Sequence, residues 1–202
     1  MHYAIQHQVK SYDYLQTTAR KKVLKHSLIR VESGLLLARL GKKEYAVEPG
    51  QYIWIPFDCL CALSFFPQSV IQRIDLSCRL KENFPQNAGY VAESKLLGAI
   101  FERLTQTLPA ELKQHLLQSV RYEILDTNPA LKLTPLSEQI TDWKPNNRCA
   151  LAKSHQLVLT IREAQKRRLS GVKQQLIVDD LFHGKADDFK MLNELILGTD
   201  KN

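Results

Sequence analysis

The sequence predicts an α+β protein in which a small antiparallel β-barrel is followed by a mostly helical C-terminal half. Two observations support this prediction. Residues 26–56 alternate short apolar runs with turn residues, a spacing typical of consecutive antiparallel strands. Beyond residue 92, apolar residues recur every three or four positions, which is the period of an amphipathic helix. The 202 residues are enough to bury a core in one or two domains.

Turn residues divide the barrel region into strands of ordinary length. Three pairs of residues favoured in turns separate the first strands: Ser33-Gly34, Gly41-Lys42 and Pro49-Gly50. The predicted strands are residues 28–31, 35–40, 45–47, 52–55, 59–66 and 70–76. In the fourth strand, Ile53 and Ile55 share one face while Tyr52 and Trp54 share the other, as a pleated strand requires. The first 25 residues supply one strand or an arm over the barrel.

Helical periodicity begins after a polar linker at residues 81–89. Residues 92–108 have apolar side chains at helical spacing, and Pro109 fits the first position of a second helix. After loops and helix-start residues between 126 and 148, three further helical segments are expected at residues 151–169, 172–181 and 187–197. The last has an apolar stripe of Phe189, Leu192, Leu195 and Ile196. Residues 157–161 are rich in branched side chains, so a strand remains an alternative there.

These patterns divide the chain into three regions. Residues 1–80 form the barrel with its N-terminal arm, residues 81–127 form a helical pair, and residues 128–202 form a basic helical region. No apolar run approaches the ~20 residues that a membrane span needs, and the N-terminus lacks the apolar core of a signal peptide. We therefore expect a cytoplasmic protein with no membrane partner.

The net charge of +7 is unevenly distributed. Lys21, Lys22 and Lys25 precede the predicted barrel strands, and residues 166–168 form a second basic cluster near the C-terminus. Clusters of this kind attract phosphates or acidic partners. A solvated surface face explains them almost as well, because a charge of this size is common in soluble proteins.

The four cysteines form no C-x-x-C pair. Cys59 and Cys61 are two residues apart, so on a strand they point to the same face. We interpret them as buried reduced thiols, because free cysteine packs as a small hydrophobic residue. A metal site is the alternative, but structural sites usually gather four Cys or His ligands.

The order of turns and strands in residues 20–80 resembles the small cupin barrel, in particular the sensor domain of AraC-type transcription regulators. The residues that carry the resemblance are Val31, Ser33, Gly34, Gly41, Pro49, Gly50, Gln51, Ile55 and Pro56. The resemblance implies a regulator that binds a small-molecule effector or a partner in or near the barrel. It also implies a homodimer through residues 92–123, because helices after the sensor barrel dimerise in that family. Alternatively, the apolar stripe of these helices only covers the barrel.

The residues that would hold a metal in a cupin enzyme are missing from this sequence. Such enzymes use a His-x-His group with a Glu, and a further His after the Pro-Gly strand. Here His26 stands alone, no His-x-His occurs, and the later position falls near Cys61. The other histidines, His2, His7, His115, His155 and His183, are scattered. Nucleophile-elbow, phosphate-loop and H-E-x-x-H motifs are also absent. The sequence therefore predicts no enzyme, no metal and no cofactor, and it identifies no ligand-binding residue.

A helix-turn-helix with Gly171 in its turn is one interpretation of residues 151–184. The AraC-type regulators carry a tandem pair of such motifs, and the ~55 remaining residues are too few for that pair. The candidate DNA contacts are Arg162, Lys166, Arg167, Arg168 and Lys173. The alternative is a stand-alone cupin-like interaction module whose C-terminal helices only pack on the barrel. A cupin enzyme is the third hypothesis, and the missing histidines argue against it.

Overall fold

The computed structural model describes residues 4–147 and 149–198; His2, with the rest of residues 1–3, Arg148 and residues 199–202, lies outside it. The strands of the described residues are β1 (Ile5–Tyr12), β2 (Gln16–Thr17), β3 (Lys21–Lys22), β4 (Lys25–Ser33), β5 (Leu36–Leu40), β6 (Lys43–Val47), β7 (Tyr52–Ile55), β8 (Leu60–Phe65), β9 (Ser69–Ser77) and β10 (Gly89–Val91). The helices are α1 (Lys95–Leu104), α2 (Ala110–Leu125), α3 (Pro135–Asp142), α4 (Lys153–Leu169), α5 (Gln174–Phe182) and α6 (Ala186–Leu197). The predicted fold class, an antiparallel β structure followed by helices, is confirmed.

The strands form two antiparallel sheets. Sheet A has the order β1-β9-β4-β7-β10, and sheet B has the order β2-β8-β5-β6 with β3 also paired to β8. The N-terminal segment contributes a full strand, since β1 pairs with β9 along all eight of its residues. Strand β10 was not predicted; it lies at the end of the expected linker and adds an edge to sheet A beside β7.

The space between the two sheets is filled by apolar side chains. Ile29, Ile53 and Ile55 from sheet A pack there against Leu36 and Leu63 from sheet B. Each of these side chains is at most 5% exposed. The predicted alternation along β7 is therefore confirmed, and the barrel interior is a packed core.

Helices α1 and α2 cover the outer face of sheet A. Phe101 of α1 and Val120 of α2 pack with Tyr52 and Trp54 in one buried cluster. The apolar stripe of this helical pair therefore covers the barrel, as one of the two alternatives predicted. A homodimer through residues 92–123 stays a prediction, and it would use what the stripe leaves exposed, such as Tyr122.

Helices α3 to α6 cover the outer face of sheet B. Leu37 and Ala46 of the sheet join Leu159, Ile177 and Ile196 of the helices in a second buried cluster. All of residues 157–161 lie within α4, so the strand alternative for this segment is wrong. Burial of one face against the sheet explains why branched residues form a helix here, since tertiary packing outweighs local propensity.

Two glycines are required by the turns that connect the strands. Gly50 has a φ of 81°, and the N–H of Gln51 donates to the carbonyl of Glu48 at 3.0 Å, so residues 48–51 form a type II turn. At Gly34, with a φ of 78°, a Cβ atom would lie 2.3 Å from Ser69 Oγ. That hydroxyl accepts from the N–H of Leu35 at 3.0 Å, so the close approach joins two loops.

Two histidines, His7 and His26, are buried on the outer face of sheet A. His7 Nε2 lies 2.8 Å from Gln72 Oε1, and the N–H of Phe57 donates to His26 Nδ1 at 3.0 Å. The His26 ring also stacks on Trp54 with 5.4 Å between centroids. Burial lowers the pKa of both histidines below the ordinary 6.5, because the charged ring loses its hydration.

We expect the free energy of unfolding to decrease as the pH falls below about 6.5. In that range the unfolded chain takes up protons that the folded chain does not, so acid favours unfolding. Thermal melts between about pH 7.5 and pH 5.5 measure this loss. Replacing both His7 and His26 by Asn should flatten the dependence, whereas the same change at exposed His115 should preserve it. An equally steep dependence in the double variant would contradict the prediction.

Candidate ligand-binding cleft between the barrel and the C-terminal helices

A cleft of about 590 Å³ separates part of sheet B from α4. The outer face of the sheet is apolar at one end of its strands, where the helices pack, and polar at the other. Along β5 the outward side chains pass from buried Leu37 to exposed Arg39, and along β6 from Ala46 to Glu44. Helix α4 continues over the polar end of the sheet without packing closely on it. The cleft is the space that remains between them.

Arg162 of α4 joins the helix to the barrel at the wall of this cleft. Its guanidinium donates to both carboxylate oxygens of Glu44, at 3.0 and 2.7 Å. The two side chains are 20% and 16% exposed, so water screens the pair only in part. A bidentate pair in these surroundings fixes both position and orientation, and it holds α4 in register with β6.

Positive charge dominates the lining of the cleft. Its cations are Arg20, Arg39, Arg162 and Lys166, and its carboxylates are Glu44 and Glu163. Both carboxylates already have partners, because Glu44 pairs with Arg162 and Glu163 pairs with Lys166 at 3.1 Å. Within the described part of the chain, Arg39 has no carboxylate within 4.0 Å. The arrangement therefore suits a small organic anion.

Apolar and hydroxyl groups complete the cleft. Ala62 and Leu169 line it beside the hydroxyls of Thr17 and Ser64. Thr17 Oγ1 and Ser64 Oγ are 3.3 Å apart. A ligand with an apolar body and one charged end would find partners for both parts.

The predicted DNA contacts do not form one exposed face. Arg162 and Lys166 line the cleft, while Arg167 donates to Glu163 and to Asp180 of α5. Arg168 is partly buried and also has a partner. Lys173 is exposed at the residue before α5. Much of the charge on α4 is therefore already balanced by carboxylates of its own helical unit.

Two connections between the C-terminal helices have the length of a helix-turn-helix turn, including the one predicted at Gly171. Three residues, 183–185, join α5 to α6, and His183 and Gly184 both have positive φ, at 52° and 79°. Four residues, 170–173, join α4 to α5, and Gly171 among them has a φ of 84°. Two helices joined by a three-residue turn with glycine match the general motif, whereas the helix after the turn begins with Asp187 and Asp188.

The sequence interpretation missed the barrel side of the cleft. Alternation along β5 and β6 places Arg39 and Glu44 on the outward face, so their exposure to a covering helix could have been inferred. Which helix covers that face is a long-range property. The contact between Glu44 and Arg162 joins residues 118 positions apart, and no local pattern encodes it.

Among the residues that the structure describes, histidine and cysteine side chains do not converge inside the barrel. His26 lies on the outer face of sheet A against Trp54. Cys61 packs in the interior, and burial raises the pKa of its thiol to about 11. Cys59 packs against the same cluster, as expected for two thiols on one face. In residues 4–147 and 149–198, no three His, Cys, Asp or Glu side chains are grouped to hold a metal ion.

Comparison with known proteins gives a likeness in structure only. No family model and no curated protein matches this sequence significantly. An apo ToxT variant from Vibrio cholerae aligns over 98% of this chain and 95% of its own, at 11% identity and a TM-score of 0.46. A second ToxT structure from that organism aligns over 98% and 96%, at 10% identity and a TM-score of 0.41.

A cupin superfamily protein from Desulfitobacterium hafniense aligns over 38% of this chain and 71% of its own, at 12% identity and a TM-score of 0.35. At these identities and TM-scores, the comparisons assign neither a family nor a function to this chain. Among the described helices, none is both long enough and apolar enough to cross a membrane.

We predict that the barrel binds no metal tightly, because the expected ligand positions hold a lone outward histidine and a protonated thiol. The measurement is elemental analysis of the purified protein after dialysis against a chelator. One equivalent of iron, zinc or manganese retained per chain would refute the prediction. Loss of that metal in a Cys59→Ser and Cys61→Ser double variant would then place it at the barrel.

Proposed function

We propose that this protein is an effector-responsive transcription regulator of the AraC type rather than an enzyme. In this proposal a metal-free barrel supports an effector site in the cleft, and the C-terminal helices contact DNA. The observation that carries the proposal is the position of Arg162. It joins the barrel to the helical unit beside a cleft with an excess of positive charge. A ligand bound there would contact both parts of the molecule, which is the requirement for coupling them.

The effector half of the proposal favours an anion. Arg39 provides a cation without a carboxylate partner among the described residues, and Arg20 offers a guanidinium that otherwise donates to the carbonyl of Gly41 at 3.1 Å. The carboxylate or phosphate group of a ligand would accept hydrogen bonds from them. The packed barrel interior supports a site in the cleft rather than inside the barrel.

We expect organic carboxylates or phosphates that fit the cleft to raise the melting temperature of the protein, since a ligand of the folded state stabilises it. Replacing Arg39 by Ala should weaken binding about tenfold, because a charge-assisted hydrogen bond contributes about 1.5 kcal/mol. Arg79→Ala is the matched control, since Arg79 is also exposed but lies outside the cleft. A panel of ligands measured by thermal shift and titration calorimetry tests this. Equal loss in the two variants would place the anion elsewhere.

The DNA half of the proposal depends on the end of α4 and the start of α5. Arg162 would have to leave Glu44 to reach a phosphate, so the remaining candidates are Lys166, Arg167, Arg168 and Lys173. Lys166 and Lys173 are exposed. The ion pairs of Lys166 and Arg167 with Glu163 are near the surface, and exposed pairs of this kind contribute little energy. They can therefore exchange a carboxylate for a phosphate.

Replacing Lys166, Arg167 and Arg168 by Ala should weaken binding to every DNA sequence. The salt dependence should flatten by up to about 3 in slope if all three residues contact phosphate, because each contact releases counterions. The measurement is selection of genomic fragments with purified protein at two salt concentrations, followed by titration of the enriched site. Ala at Lys81, Lys95 and Lys132, which are exposed outside α4, removes the same charge as a control.

The second candidate function is an interaction module that does not bind DNA. The acidic start of α6 favours it, because these carboxylates would repel the phosphate backbone if the turn at residues 183–185 belonged to the DNA-binding motif. Enrichment of one DNA sequence that survives higher salt supports the regulator. Uniform weak binding that both triple variants reduce equally, or no binding, supports the module.

A further inference from the structure

The outward face of α6 carries two exposed apolar side chains one helical turn apart. Met191 and Leu195 are 60% and 67% exposed. The sequence predicts Leu195 in the buried stripe, but the structure buries Phe189 and Ile196 and turns Leu195 outward. Two large apolar side chains aligned on one exposed face need a partner surface more than scattered ones do.

Carboxylates lie beside this apolar pair, and Asp188 among them is 3.8 Å from Lys185. The acidic helix face consists of Asp187, Asp188, Met191, Glu194 and Leu195. Residues 174–197 contain five carboxylates and two lysines, although the whole chain has a charge of +7. The opposite sign of this face excludes a phosphate-rich partner and favours a surface with lysines around apolar side chains.

The same chain presents a surface of that chemistry at one end of the barrel. The basic barrel end consists of Lys21, Lys22, Leu24, Lys25, Phe57 and Leu60. Its apolar members, Leu24, Phe57 and Leu60, are 78%, 42% and 45% exposed. Lys22 pairs with Asp58. In the described ranges, Lys21 and Lys25 have no carboxylate within 4.0 Å.

Backbone pairing brings residues 21–24 beside residues 57–61, with Lys21 opposite Cys61. Lys22 is the register partner of Leu60 across β3 and β8. The N–H of Asp58 donates to the carbonyl of Val23 at 2.9 Å, and the N–H of Val23 donates to the carbonyl of Cys59 at 3.1 Å. Leu24 therefore lies beside residues 57–60. Lysines on the short edge strand β3 disfavour addition of another strand, so a helix face is the better occupant.

We propose that the acidic helix face of one copy docks on the basic barrel end of a second copy of this chain. The two surfaces are complementary in charge and each has exposed apolar side chains at its centre, the arrangement of an interface core with a polar rim. The contact joins two different surfaces, so it is heterologous and builds a ring or an open chain of copies. The inference goes beyond the proposed function and does not depend on it.

The association should be reversible and sensitive to salt. Raising the ionic strength to about 1 M shortens the range of electrostatic attraction from ~10 Å to ~3 Å and should shift the equilibrium toward monomer. Sedimentation velocity over a range of protein concentrations at low and high salt measures this directly. A chain that stays monomeric at low salt, or an association that salt does not weaken, overturns the proposal.

Charge reversal separates this interface from any other. Variant one carries D187K and D188K, and variant two carries K21E and K25E. Each alone should fail to associate, because each places like charges on both surfaces. Mixed together, they should associate again, since the reversed helix face of variant one complements the reversed barrel end of variant two. An E138K and D142K variant changes the same charge at exposed residues of α3 and should behave as the unmodified protein.

A variant with Met191→Ser and Leu195→Ser provides a test that does not alter charge. Both side chains are exposed, so thermal melts should show an unchanged fold while association is lost. Failure of the mixed charge-reversed variants to associate, with both folded by the same criterion, overturns the proposal, as does normal association of the serine variant. Neither result bears on DNA or effector binding, which the experiments on α4 and the cleft decide separately.

Discussion

The change from apolar to charged along the outer face of sheet B is the constraint on which the rest of the molecule depends. At the apolar end, Leu37 and Ala46 require a covering layer, and α3 to α6 supply it. At the other end, the charged side chains of Arg39 and Glu44 require water or a partner of opposite charge. Arg162 of α4 is that partner for Glu44. One helix therefore meets both environments, and the cleft lies where its packing on the sheet stops.

The barrel buries side chains on three surfaces, which are its interior and the outer faces of its two sheets. Its interior is filled by side chains such as Ile53 and Leu36, and its two outer faces are covered by separate groups of helices. Strand β7 is buried on both faces, so its sequence is continuously apolar. The proposed effector site therefore lies outside the interior, in the cleft where Arg162 and its neighbours remain within reach of solvent.

The distribution of charge was only partly visible in the sequence. The basic run at residues 166–168 is obvious in one dimension, but in space Lys166 and Arg167 face carboxylates of their own helical unit. Fewer of the lysines near β3 are balanced by carboxylates. Asp58 pairs with Lys22, whereas Lys21 and Lys25 have no carboxylate within 4.0 Å among the described residues. The sequence therefore overstated the unbalanced positive charge at residues 166–168 and understated that of the lysines near β3.

The sequence by itself determined the local structure: the strands between residues 28 and 76, the turn at Pro49-Gly50, the three C-terminal helices and the absence of a cupin metal-ligand set. These follow from backbone geometry, since a period of two or of 3.6 and a requirement for positive φ are expressed within a few residues. Only the tertiary structure decided that β10 completes sheet A, that α3 packs along β6, and that Arg162 meets Glu44. Those contacts join distant segments through complementary buried surfaces, and no local pattern records which surfaces will meet.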